Sequence, residues 1–278
     1  PDVWLCHQCG DCSTYCPRGV KPADVLSAVR KMTYLQYARP RFLGILLSRP
    51  KWLPVAVLIP MLIIAAILLM AGTFTIPEGP VLYAKFFPHG WLNSSFTLIT
   101  GISYGLAISG IIRFMNDIKK QYAVEVTSRQ FFRSLFSFRK GILAHDKFGS
   151  CQANRSRKWS HLLVFYGFIL LLFVTAYAIV AAISHNYPLK FSNPFKIMGN
   201  IAGLMLLIGL GIMIIKRLIK KEKSGRSDYS DWLLLISILL LTISGIVVET
   251  ARFQNWTSAY HLYFFHLVCV WFVIIYLP

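Results

Sequence analysis

The chain has 278 residues, of which 56% are hydrophobic and only 14% are charged. This composition is typical of a membrane protein and excludes an ordinary soluble globular chain. The formal net charge of +18 would suit a nucleic-acid-binding protein, but the positions of the basic residues argue against that class, as shown below. The chain begins with Pro1 and stops at Pro278 within an apolar run, so we expect sequence to be missing at both ends.

Four cysteines near the start of the chain follow the pattern C-x2-C-x2-C-x3-C-P, at Cys6, Cys9, Cys12 and Cys16. Thiolates are the ligands of iron–sulfur clusters, and in two-cluster ferredoxins the fourth cysteine of this pattern binds the other cluster. We therefore predict that all four are metal ligands of 4Fe-4S clusters. Zinc sites use separated pairs of ligands, and disulfides between such close cysteines are poor, so both are weaker alternatives.

A helix is predicted directly after this motif. Pro22 suits the first turn of a helix, and apolar residues then recur at helical spacing from Val25 to Met32. We predict that residues 1–41 form an α-helical ferredoxin-like module whose amino-terminal part is missing. Residues 42–52 carry Trp52 and basic residues that favour a membrane surface.

Six apolar stretches occupy the remainder of the chain, each near the ~20 residues that cross a bilayer core. They are Leu53–Met70, Trp91–Ile112, His161–Ile183, Ile197–Ile215, Trp232–Val248 and Tyr260 to the end. The predicted fold class is therefore all-α, with a ferredoxin-like module followed by a six-span transmembrane bundle over residues 42–278, whose carboxy-terminal part is missing.

The basic residues predict the orientation of these spans. Segments 1–52, 113–158 and 216–226 hold 8, 11 and 6 of the 29 Lys and Arg residues, and the alternate loops hold 4. Because cytoplasmic loops are enriched in Lys and Arg, we predict a multi-pass protein of the cytoplasmic (inner) membrane, with a cytoplasmic amino terminus. The positive charge then reflects topology and contact with membrane lipid, and no nucleic-acid partner is expected.

Histidines at the ends of the spans are candidate ligands of haem b, which needs imidazoles from facing helices. A polar histidine inside a span is costly, so a functional role is the first expectation. The candidates, in falling order, are His161, His266, His261, His185 and His89. Each could instead be an interfacial or loop histidine, and His145 is predicted to be a solvated loop residue.

Acidic residues are almost absent from the spans. Glu249 lies at the outer end of the fifth span, where it could accept a proton from a quinol. An interfacial ion pair with Arg252 is an equal alternative. The aromatic residues from Tyr260 to Phe265 are predicted to form an interface belt rather than a quinone site.

The motif Trp4-Leu5-Cys6 to Cys16-Pro17-Arg18-Gly19-Val20 resembles the second cluster motif of the HdrC family of heterodisulfide reductase subunits. The membrane half, with Ser160-His161-Leu162-Leu163 and the segment Tyr260 to His266, resembles a nitrate-reductase gamma-type cytochrome b domain. The fusion of the two resembles the QmoC family, the membrane subunits of the quinone-interacting membrane-bound oxidoreductase.

This resemblance implies haem b, menaquinone, and partner subunits like QmoA and QmoB that carry flavin and iron–sulfur clusters. It further implies electron exchange with adenylylsulfate reductase, and it matches His161 and His266 to family histidines. The family has a second histidine where this chain has Leu171, and another beyond the last residue here. We therefore expect a quinone-dependent oxidoreductase subunit; the alternatives are a heterodisulfide-reductase-like or sulfite-reduction-linked menaquinol complex, and a haem-free anchor for a ferredoxin head.

Overall fold

The computed structural model describes residues 2–6, 12, 16–122, 127–145, 155–184, 189–219 and 227–277. Cys9, His7 and His185 lie outside these residues, so the predictions made for them are not tested. No strand occurs among the described residues, and the chain forms eleven α-helices there with short 3₁₀ turns at Asp2–Leu5 and Pro50–Trp52. In chain order the helices are α1 (Pro22–Tyr37), α2 (Arg41–Ser48), α3 (Leu53–Met70), α4 (Tyr83–Phe86), α5 (His89–Tyr122), α6 (Ser128–Ser137), α7 (Arg139–Leu143), α8 (Arg155–Ile183), α9 (Pro194–Ile219), α10 (Tyr229–Phe253) and α11 (Ala259–Tyr276).

Six of these helices are long and apolar enough to cross a membrane, which confirms the predicted number of spans. They are α3, preceded by its 3₁₀ turn, and α5, α8, α9, α10 and α11. Helix α8 packs on α9, α9 on α10, α10 on α11, and α11 on α3 and α5. We call the end of this bundle that carries residues 2–48 the head end, and the other the far end.

Glycines set the spacing between α8 and α9. A Cβ placed on Gly167 would lie 3.2 Å from the backbone oxygen of Ala202, and one placed on Gly209 would lie 2.8 Å from the backbone oxygen of Ser160. In lipid, packing apolar side chains between helices gives no hydrophobic gain, because the lipid tails are equally apolar. Close approach of the helices stabilises the pair instead, through van der Waals packing. The two helices therefore meet along a seam of small residues.

Helix α1 begins at Pro22, as predicted, and rests against the head end of α5. The Tyr37 hydroxyl donates a hydrogen bond to the Asp117 carboxylate at 2.9 Å. The Tyr37 ring meets Phe114 edge to face, with the ring centroids 5.1 Å apart. Gly110 allows this contact, because a Cβ there would lie 2.7 Å from the Tyr37 carbonyl oxygen. Helix α1 is therefore held on α5 by polar, aromatic and steric contacts together.

A second contact joins α1 to the start of α10. Lys31 forms an ion pair with Asp228. Asp228 also caps α10, because its carboxylate accepts from the Tyr229 backbone N–H at 2.7 Å, while the Asp231 side chain accepts from the Asp228 N–H at 3.1 Å. The carboxylate at this N-terminus therefore stabilises α10 and contacts α1 at once.

The far end is held by a buried aromatic core between α3, α4, α5 and α11. Phe87 and Trp271 are each 1% exposed. Tyr260 is also buried, and its hydroxyl accepts a hydrogen bond from the Leu82 backbone N–H at 3.1 Å. The predicted interface belt is therefore wrong for Tyr260, because the α3–α5 connection folds over it and supplies a buried partner for its hydroxyl.

Gly110→Ala is expected to destabilise the docking of α1. The new methyl group would overlap the Tyr37 carbonyl oxygen, and backbone atoms cannot move aside cheaply, so we expect a cost of about 1–3 kcal/mol. Thermal unfolding and limited proteolysis of the full chain in detergent would measure it. Gly105→Ala in the same helix is the matched control, because a Cβ there meets nothing within 4 Å. Equal melting temperatures and cleavage rates for the two variants would contradict the predicted contact.

Candidate functional site

The described part of the cysteine motif lies beside α1. Cys6 and Cys16 are half-buried and Cys12 is exposed. Arg30 of α1 donates hydrogen bonds to the carbonyl oxygens of Val3, at 3.0 Å from Nε, and of Cys6. Among the residues described, no three His, Cys, Asp or Glu side chains are grouped to hold a metal ion. The metal-ligand role of the four cysteines therefore stays a prediction.

His266 lies on α11, facing α10. Its Nδ1 atom is 2.9 Å from the Ser244 hydroxyl oxygen. The next residue on α10 is Gly245, and a Cβ there would lie 3.2 Å from His266 Cε1. The imidazole is thus fixed by one hydrogen bond and by a glycine that leaves space for the ring.

The contacts of Ser244 favour one protonation state of His266. A serine hydroxyl has one hydrogen, and the Leu241 carbonyl oxygen, 3.0 Å from the Ser244 oxygen, is an acceptor for it. With that hydrogen on Leu241, the His266 Nδ1–H group donates to the Ser244 oxygen and the Nε2 atom keeps its lone pair. A histidine held through one nitrogen, with the other nitrogen available, is the arrangement that metal-binding histidines use. His266 therefore fits the role of an axial haem ligand.

His161 lies near the head end of α8, and its ring is exposed. The His145 ring lies beside it, with centroids 4.7 Å apart, and Phe165 contacts His145 at 5.3 Å. His145 is only 7% exposed, so its prediction as a solvated loop residue is wrong. The loop folds back onto α8, and the resulting burial lowers the pKa of His145, which favours the neutral imidazole.

Contacts between neighbouring helices place His161 and His266 at different depths. Gly245 of α10 contacts His266. The residue that follows Gly245 packs against Gly203 of α9, where its side chain lies 3.8 Å from the position that a Cβ on Gly203 would take. The residue before Gly203 contacts Gly167 of α8. His266 is therefore level with Gly167, six residues beyond His161, which is about 9 Å along α8. The two histidines therefore lie at different levels of the bundle and would hold separate haems.

His89 and His261 lie away from His266. Phe96, on the same helix as His89, packs edge-on against Trp271 with centroids 5.3 Å apart. Trp271 is five residues from His266 on α11, so the two point about 140° apart. His261 is five residues in the other direction and is exposed. The structure therefore brings neither His89 nor His261 to His266.

Glu249 lies half-buried at the far end of α10. Its carboxylate forms an ion pair with Lys196, with Nζ 3.1 Å from Oε2, and accepts from the Asn200 amide at 3.3 Å. The alternative of a pair with Arg252 is wrong for the described residues, because the start of α9 supplies Lys196. The Arg252 guanidinium instead lies over the Phe253 ring at 5.1 Å and reaches the Leu189 carbonyl oxygen at 3.5 Å.

Sequence reasoning missed the residues that contact the candidates, namely Ser244, Gly245, Asn200, Lys196 and His145. Ser244 and Gly245 carry a weak signal, because a small polar residue beside a glycine in an apolar span often marks a helix contact. The residue that such a position contacts on the neighbouring helix depends on the register between the two helices, which the sequence of one helix does not give.

Comparisons with known proteins support a redox role for the membrane half. Residues 151–277 match the family described as Nitrate reductase gamma subunit, which confirms that predicted resemblance. Citrate utilization protein B of Escherichia coli is 25% identical over 274 residues, covering 91% of this chain and 70% of that protein.

A second group of relatives matches a shorter segment. One of these relatives, a subunit of the dihydromethanophenazine:CoB--CoM heterodisulfide reductase of Methanosarcina thermophila, is 30% identical over 99 residues, which cover 33% of this chain and 38% of that protein. The Methanosarcina mazei protein of the same name is 34% identical over 65 residues, or 23% of this chain and 25% of that protein. No solved structure matches the chain. The similarities support a membrane subunit of an electron-transferring oxidoreductase, with a cytochrome b-like segment at residues 151–277.

Lys196→Met is expected to destabilise the far end of the bundle, because the half-buried Glu249 carboxylate would lose its cation. We expect a cost of about 1–3 kcal/mol, measured by thermal unfolding of the full chain in detergent. Combining Lys196→Met with Glu249→Gln is expected to recover part of this loss, with a coupling energy of about 0.5–3 kcal/mol. Arg252→Met is the matched control, and its combination with Glu249→Gln is expected to be additive. Coupling to Arg252 but not to Lys196 would contradict the structure.

Proposed function

We propose that the chain is the membrane subunit of an oxidoreductase that exchanges electrons between menaquinol and iron–sulfur and flavin partner subunits. Haem b in the bundle and 4Fe-4S clusters in the head would carry these electrons. The observation that supports this proposal most directly is the hydrogen bond from His266 to Ser244, because it leaves the Nε2 lone pair of a histidine inside a span available to a metal.

Haem b, when bound, supplies one-electron redox chemistry that no side chain of the chain can supply. His266 would hold it through Nε2, and Ser244 would fix the ring and its protonation state. Gly245 would keep the ring close to α10. His161 would hold a haem nearer the head end, with His145 packed beside it. The further candidates were His261, His185 and His89; neither His261 nor His89 lies at His266, and His185 lies outside the described residues.

The head would hold its clusters through Cys6, Cys9, Cys12 and Cys16. Two contacts favour this placement next to the bundle. The Trp4 ring meets Phe114 of α5, with centroids 6.0 Å apart, and Arg30 lies over Trp4 at 5.5 Å. The described cysteines of the motif and His161 both lie toward the head end, which would suit electron transfer between the bundle and the head.

Glu249 is the proposed acceptor of a proton from menaquinol. The Lys196 ammonium nitrogen lies 3.1 Å from this carboxylate. Asn200 holds the other carboxylate oxygen in place. This group lies at the far end, which the distribution of Lys and Arg predicts to be the outer side of the cytoplasmic membrane.

The resemblance to the QmoC family points to partner subunits like QmoA and QmoB, and to adenylylsulfate reductase as the enzyme they serve. The names of the Methanosarcina relatives favour a second candidate, a complex related to heterodisulfide reductase. The proteins that copurify with the full chain would separate the two candidates.

The haem proposal predicts that purified full-length protein gives a b-type pyridine-haemochrome spectrum. His266→Ala is expected to lose one haem per chain. Ser244→Ala is expected to keep that haem but raise its midpoint potential, since an imidazole without this hydrogen bond donates less charge to iron. Ser237→Ala is the control, because Ser237 lies on the same helix and bonds only its own helix, at Leu233. A chain without b-type haem would favour the haem-free anchor, and full haem content in His266→Ala would exclude His266 as a ligand.

The cluster proposal predicts that Cys9→Ser removes most of the iron–sulfur absorbance and lowers the iron and sulfide content of the protein. Cys151→Ser is the control, since Cys151 lies far along the chain from the motif. Iron analysis, visible absorption and electron paramagnetic resonance of the full chain would measure both. Unchanged iron content and spectrum in Cys9→Ser would refute the cluster assignment.

A further inference from the structure

Helix α6, Ser128–Ser137, is apolar on one side yet fully exposed. Every residue of this helix is exposed, including Phe131, Phe132, Leu135 and Phe136, at 52%, 65%, 52% and 68%. Phe138, directly after the helix, is 53% exposed. So much exposed aromatic surface on ten residues is unfavourable in water, so this face needs an apolar environment outside the described residues.

The apolar residues of α6 lie on one face. At 100° per residue, the five named above fall within an arc of about 160°. The remaining arc carries Arg129, Arg133 and uncharged polar residues. A helix that divides in this way, with arginines bordering phenylalanines, is typical of segments that lie in the plane of a membrane surface. The first turn of α6 is stabilised by local contacts. Thr127 and Gln130 form a capping box, in which the Thr127 backbone nitrogen lies 3.0 Å from the Gln130 side-chain oxygen.

The neighbours of α6 fix its height. Helix α7 follows it directly, and the carbonyl oxygen of Leu143, the last residue of α7, accepts a hydrogen bond from the Tyr166 hydroxyl at 2.9 Å. Tyr166 lies five residues after His161, where the apolar stretch of α8 begins, or about 8 Å along the helix. The end of α7 is therefore level with the first turns of a membrane span. Helix α7 has only five residues, about 8 Å in length, so α6 lies near the same level.

The connection that precedes α6 is also short. Five residues separate Tyr122, the last residue of α5, from Ser128, so α6 starts within about 20 Å of the end of α5. Both ends of α6 are thus attached to the head end of the bundle. The bilayer that surrounds the lipid-facing sides of α5 and α8 extends to α6 and supplies an apolar layer for its exposed face.

We propose that α6 is an interfacial anchor that lies on the head-end leaflet, with its phenyl rings at the boundary of the acyl chains. Arg129 and Arg133, at the edge of the apolar arc, bind the phosphates of anionic lipids. This charge complementarity favours a leaflet containing phosphatidylglycerol over one that is wholly zwitterionic. The inference does not depend on haem, clusters or quinone.

Photo-crosslinking of the full chain in lipid nanodiscs tests the proposal. p-Benzoylphenylalanine is placed at position 132, within the apolar face, or at position 137, on the opposite face as the matched control. Irradiation in discs of phosphatidylethanolamine and phosphatidylglycerol, followed by mass spectrometry, measures lipid adducts. We expect several-fold more lipid adduct at position 132 than at position 137. In the double variant R129Q/R133Q, we expect that yield to fall to the value in phosphatidylcholine discs.

Other results overturn the proposal. Adducts from position 132 to a second copy of the chain or to a partner protein would make α6 a protein-docking helix. Equal lipid adducts at both positions, or none, would exclude an in-plane orientation. Hydrogen exchange of the wild-type chain gives a readout without substitution: the amides of α6 are expected to exchange more slowly in anionic discs than in zwitterionic discs. Equal exchange in the two would exclude binding to anionic lipid.

Discussion

The lack of water inside a bilayer is the constraint on which this structure depends, because each polar group in a span must find its partner within the protein. Serine and threonine hydroxyls in α10 donate hydrogen bonds to backbone carbonyl oxygens of their own helix, as Ser237 does to Leu233. His266 instead uses Ser244 of the neighbouring helix. The register of α10 and α11 is therefore fixed by a polar contact as well as by packing.

The same constraint divides the molecule into two ends. Charged contacts that need water or a nearby partner gather where the helices leave the apolar layer: Lys31 with Asp228 at the head end, and Lys196 with Glu249 at the far end. Between them, the spans carry serines, glycines and the half-buried His266. The proposed exchange of electrons between menaquinol and partner subunits suits this arrangement, because proton and partner chemistry would lie at the ends and electron transfer in the middle.

The helices could be predicted from the sequence, whereas the contacts between them could not. Span length and Lys and Arg counts depend only on local composition, and the predicted six spans are confirmed. The partner of Glu249 depends on where α9 begins relative to α10, so the local alternative, Arg252, was wrong. His145 was predicted to be solvated because its surroundings in sequence are basic and polar, but Tyr166 binds the loop back onto α8 at Leu143. The cluster ligands stay a prediction, since Cys9 lies outside the described residues.

The head is attached to the bundle by contacts of a different kind from those within the bundle. Inside the spans, glycines at positions 167 and 209 bring α8 and α9 together without directional bonds. At the head end, Gly110 again allows close approach, but the contact is completed by the Tyr37–Asp117 hydrogen bond, which also raises the pKa of Tyr37 and so keeps the phenol protonated as a donor. Directional bonds fix the rotation of α1 as well as its distance from α5. The position of the cysteine motif relative to the bundle follows from that rotation, because Arg30 on α1 binds the backbone of Val3 and Cys6.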